Sequence, residues 1–109
     1  MAVNFKNILQ TLKNGIVDIA EKDLKDFVAD ATADGQEMLS ELKDDLKDWT
    51  KQFVAGELKE DELADLVKGQ VDLLKLVALK EAGLAEIKVD QFKSDVTDLI
   101  ISTITGLIP

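Results

Sequence analysis

The sequence predicts an all-α fold: one domain built as an up-and-down four-helix bundle. Three observations predict it. Proline occurs only at Pro109, so no ring clash interrupts a helix before the last residue. Apolar residues recur at steps of three and four along nearly the whole chain. No segment alternates apolar and polar residues over the length of a useful strand.

The first apolar stripe runs from Phe5 through Ile8, Leu12, Ile16, Ala20, Leu24 and Phe27 to Ala31. Asn4 is placed to cap this helix, with Val3 and Ile8 in the staple positions. Gly15 lies inside the stripe, where the helix is expected to continue or bend slightly. The second stripe runs through Met38, Leu42, Leu46, Trp49 and Phe53. Asp34 and Glu37 have capping-box spacing ahead of it, so the break between the first two helices is placed near Asp34-Gly35. One feature opposes that placement. The stripe keeps its phase across the proposed turn, as it would in a single helix from Asn4 to Ala55, roughly 75 Å long. Helices of that length are rare in small domains, and the break is preferred.

The third stripe is Leu63, Leu66, Val67, Val71, Leu74, Val77 and Ala78. Leu58 and Leu63 bracket its start, and Glu60, Asp61 and Glu62 put negative charge on its positive end. The fourth is Phe92, Val96, Leu99, Ile100, Thr103, Ile104 and Leu107, with Ile87 and Phe92 in staple positions. Gly56 and Gly83 are placed as left-handed residues closing the helices before them. The helices are thus expected over 4–33, 35–55, 59–82 and 88–106. The alternative fold is a long antiparallel helical hairpin that folds back near Gly56 and packs as a dimer.

Composition narrows the chemistry. The 109 residues contain no cysteine, histidine, arginine or tyrosine, which excludes disulfides, thiolate metal sites and histidine-based catalysis. The serines are Ser40, Ser94 and Ser102, none in a recognisable nucleophile pattern, and no glycine-rich phosphate loop occurs. The chain is expected not to be an enzyme and to need no cofactor. Its 13 lysines against 22 carboxylates give a net charge of −9, which repels nucleic acid and anionic lipid. No apolar run approaches the roughly 20 residues of a membrane span, and the N-terminus lacks a signal-peptide layout. A soluble, cytoplasmic protein is expected.

The most specific local pattern is that of a calcium loop. Asp30, Thr32, Asp34, Gly35 and Glu41 fall at positions 1, 3, 5, 6 and 12 of an EF-hand between two predicted helices. Glu37 at position 8 and the lack of a partner loop count against it. Carboxylates at Glu41, Asp44, Asp45 and Asp48 fit a solvated helix face, and Trp49 and Phe53 fit core packing.

The third helix is apolar nearly all round between Val71 and Leu79. Leu73, Leu76 and Leu79 lie off its main stripe, and Ile101 and Ile108 lie off that of the fourth. A helix apolar on two faces needs two partners. These five residues are the predicted contact surface for a second copy or another protein. The expected function is a non-catalytic interaction or assembly module. The alternatives are calcium binding over 30–41 and a hydrophobic ligand held within the bundle.

Overall fold

The computed structural model describes residues 4–107. Its helices are α1 (Phe5–Asp23), α2 (Val28–Val54), α3 (Glu60–Leu73), α4 (Val77–Glu81) and α5 (Glu86–Thr105). A short 3-10 turn, Lys25–Phe27, joins α1 to α2. No strand occurs among the described residues. The first leg of the bundle is α1, the second α2, the third α3 with α4, and the fourth α5. Helix α1 packs on α2 and α5, α5 also packs on α3, and α2 packs on both α3 and α4.

Local signals account for most helix ends. The Asn7 N–H donates to Asn4 Oδ1 at 3.4 Å, so Asn4 caps α1. At the start of α3, Glu62 Oε1 accepts from the Lys59 N–H at 3.0 Å, and Glu60, Asp61 and Glu62 occupy the first turn. Gly56 and Gly83 take φ of 78° and 89°. At the first, the Gly56 N–H donates to Phe53 O and the Glu57 N–H to Gln52 O. At the second, Gly83 donates to Lys80 O and Leu84 to Leu79 O. Both are Schellman closures, which satisfy carbonyls at a helix end and require a left-handed residue.

Two breaks depart from the sequence expectation. The first turn lies at Leu24–Phe27, and Asp34-Gly35 sits inside α2. The 4–33 and 35–55 helices are therefore replaced by Phe5–Asp23 and Val28–Val54, and the single helix from 4 to 55 is also excluded. The unbroken stripe phase through Asp34-Gly35 has a plain cause: Ala31, Gly35, Met38 and Leu42 share the buried face of one continuous helix. The turn itself uses neither glycine nor proline. Leu24 leaves the helix at φ −132° and ψ 54° and is buried at the end of the bundle, with Phe27 packed against the core. Asp26 and Asp30 then lie in the first turns of the following segments, where the helix dipole favours carboxylates.

The second break divides the predicted 59–82 helix. Leu74 is extended, at φ −81° and ψ 144°, and helix resumes at Val77. A straight helix would continue the buried series Leu63, Val67, Val71 through Leu74 and Ala78. The break turns Leu76 and Leu79 inward in their place. The last helix begins at Glu86, two residues before its predicted start, which puts Ile87 in the first turn.

The core is continuous through all four legs, from Leu12 and Ile16 of α1 to Phe92, Val96 and Ile100 of α5. Trp49 is part of it, and Phe53 packs against it. Gly35 lies where α1 crosses α2; a Cβ there would overlap Ile16 Cγ2. The long axis is 43 Å, close to the roughly 40 Å length of the 27-residue α2. The radius of gyration is 13.8 Å, near the roughly 13 Å of a folded chain this long, and the extended hairpin alternative is set aside.

Candidate functional site

Helix α4 is the least self-sufficient element. It has five residues, and Leu76 at its N-cap provides no side-chain acceptor. Asp34 supplies the acceptors from α2. Its Oδ1 accepts from the Ala78 N–H at 3.0 Å, and its Oδ2 from the Leu79 N–H at 2.8 Å. These are the second and third residues of α4, the N–H groups that an N-cap side chain normally satisfies. Asp34 itself is only 7 % exposed. Its burial is balanced by two charge-assisted bonds and by the positive end of α4.

This arrangement replaces the calcium loop. Asp30, Thr32, Asp34 and Glu41 all lie on continuous helix, where an EF-hand needs a 12-residue loop turning sharply at Gly35. A helix sends these positions to different faces: Asp34 is buried, Asp30 and Thr32 half-buried, and Glu41 exposed. Both Asp34 oxygens already accept from α4. Thr32 Oγ1 is enclosed without a hydrogen-bond partner. No group of three or more acidic residues is arranged to hold a metal among the described residues.

The predicted contact surface is divided by the break before α4. Leu76 and Leu79 are buried in the chain's own core, so they are not available to a partner. Ile101 is half-buried against the core, and Ile108 lies outside the described residues. Leu73 is 74 % exposed. Sequence periodicity missed Val77, which it assigned to the buried stripe and which is 55 % exposed. It also missed Ile87, at 78 %, and Leu66 of the same third stripe as Val77, which is exposed as well. The extended Leu74 changes the phase after α3, and no local residue signals that change.

Val77 opens onto a groove of about 750 Å³ between the α3–α4 joint and the start of α5. Its apolar lining is Leu74, Leu76, Val77, Leu84 and Val89. Lys75, Lys80 and Lys93 line it together with Glu81, Glu86 and Asp90. Lys93 also donates to the Asp72 carbonyl at 3.5 Å, near the C-terminal end of α3. Two Schellman-type bonds and the Asp34 cap fix both ends of α4, so this wall of the groove is held by backbone hydrogen bonds.

A separate acidic seam joins α1 and α5. Asp18, Asp23, Asp95 and Asp98 line it beside Lys22. Burial pushes the Asp95 carboxyl above the usual aspartate range, and Asp23 and Asp98 push in the same direction. The Gln91 amide donates to Asp95 Oδ1 at 3.2 Å and opposes the shift.

No helix among the described residues is long and apolar enough to cross a membrane. Comparison with protein-family models, with curated proteins and with solved structures finds no match to this chain.

Proposed function

We propose that the chain is a non-catalytic protein-binding module whose docking face is the groove along α4. The observation that carries the reading is the exposure of Val77 at 55 % on a wall whose neighbouring residues, Leu76 and Leu79, are fixed in the core. Leu73, 74 % exposed, ends α3 just before it. A rigid apolar wall edged by charged side chains has the composition of a protein interface, with an apolar centre and a polar rim. A small hydrophobic ligand would meet six charged side chains in the same lining. The residue types in the chain support the non-catalytic part, since it lacks histidine, cysteine, arginine and tyrosine.

The test is site-directed photo-cross-linking of the full chain in extract of its native cells. A photoreactive residue replaces Val77 in one preparation and Asp48, on the exposed face of α2, in another. Several-fold more protein adduct from position 77 is expected. Equal yields from the two positions, or none from either, would remove the α4 face as the docking site.

A further inference from the structure

We infer that the occupant of the α4 groove is the same groove of a second copy of this chain. This rests on the reading of that face as a docking surface and adds the identity of the partner. The argument comes from charge. The groove is lined by three of the chain's 13 lysines and three of its 22 carboxylates, so the entire net charge of −9 lies outside it. Two copies of so acidic a chain repel each other over most relative orientations. Apposing their α4 grooves brings together two surfaces with no net charge, each carrying both signs.

The layout also suits a two-fold axis. A symmetric dimer uses the same patch on both copies, so the patch must complement itself. On the α3–α4 side of the groove Lys75 and Lys80 outnumber Glu81, and on the α5 side Glu86 and Asp90 outnumber Lys93. An antiparallel apposition sets the net-positive side of one copy against the net-negative side of the other, twice. Val77 is the exposed apolar residue of the lining, and Leu73 extends the apolar surface beside it. The patch is small, so the dimer is expected to be weak, with a dissociation constant of order micromolar.

Sedimentation equilibrium of the purified full chain tests this, up to about 500 µM at about 0.15 M salt, where repulsion beyond roughly 8 Å is screened. A monomer–dimer equilibrium is expected. Two paired variants then test the face. Lys75→Glu with Lys80→Glu makes the groove acidic, and Glu86→Lys with Asp90→Lys makes it basic. All four side chains are exposed, and thermal melts of each variant verify that it is folded. Each variant alone should dimerise at least about tenfold more weakly than the unaltered chain, and an equimolar mixture should recover affinity as a heterodimer. A chain that stays monomeric over the whole range overturns the inference, as does a dimer insensitive to both variants or a mixture without recovery. If the purified chain is monomeric while cross-linking in extract at position 77 still captures other proteins, the docking face stands and only the self-partner is wrong. If neither experiment gives a contact at α4, both readings fall.

Discussion

Asp34 holds two backbone N–H groups that lie 44 and 45 residues further along the chain. Removing its carboxylate would leave the Ala78 and Leu79 donors without partners, the latter in a fully buried residue. Asp34→Ala should therefore destabilise the fold by about 2–3 kcal/mol, the cost of buried donors losing a charged acceptor. Thermal unfolding should show a melting point lower by roughly 10 °C or more for a chain of this size. Asp34→Asn keeps one carbonyl oxygen and should lose less. Amide hydrogen exchange gives the more specific readout. Residues 78 and 79 should lose protection in Asp34→Ala before the amides of α2 do, because α4 opens as a local unit. Uniform loss across the chain, or no loss at 78 and 79, would count against the capping role.

At the scale of elements, the α1–α5 seam carries an electrostatic cost. Asp95 on α5 faces Asp23 and Asp18 of α1, with Asp98 one turn further along α5 and Lys22 and Lys88 as the nearby cations. Its carboxyl is raised by burial first and by Asp23 and Asp98 next. A carboxyl raised in the folded state binds more protons there than in the unfolded chain. Its contribution to stability therefore falls as pH rises from the ordinary aspartate value through the raised one, and the penalty is complete above that window. Asp95→Asn should raise the melting temperature at pH 7 by roughly 1–4 °C, as for a partly solvated charge. The gain should shrink towards pH 4. A gain that is the same at both pH values would show that packing, not ionisation, is responsible.

Across the whole molecule, net charge sets the response to salt. The chain carries −9 within principal extents of 43, 23 and 21 Å. Raising ionic strength from about 10 mM to about 150 mM shortens the screening length from roughly 30 Å to roughly 8 Å, which removes repulsion between legs while sparing contacts within them. The melting temperature should rise over that range. A fall would mean that attractive pairs at the surface outweigh the excess of carboxylates.

The helical class, the cap at Asn4, the acidic start of α3 and the closures at Gly56 and Gly83 were legible in the sequence by itself. Each depends on residues within a few positions of one another, so local spacing carries the whole signal. The positions of the two breaks were decided only in the tertiary structure. Asp34-Gly35 reads locally as a turn, a cap or a calcium loop, yet it serves two distant contacts: close passage of Ile16 at the glycine and the start of α4 at the carboxylate. Leu76 and Leu79 read as surplus apolar surface, and the same cap turns them into the core. That leaves Val77 exposed beside them, although local periodicity had assigned it to the interior. A helix that takes its first hydrogen bonds from another leg of the bundle cannot be located from its own residues, because its acceptor is near in space and far along the chain.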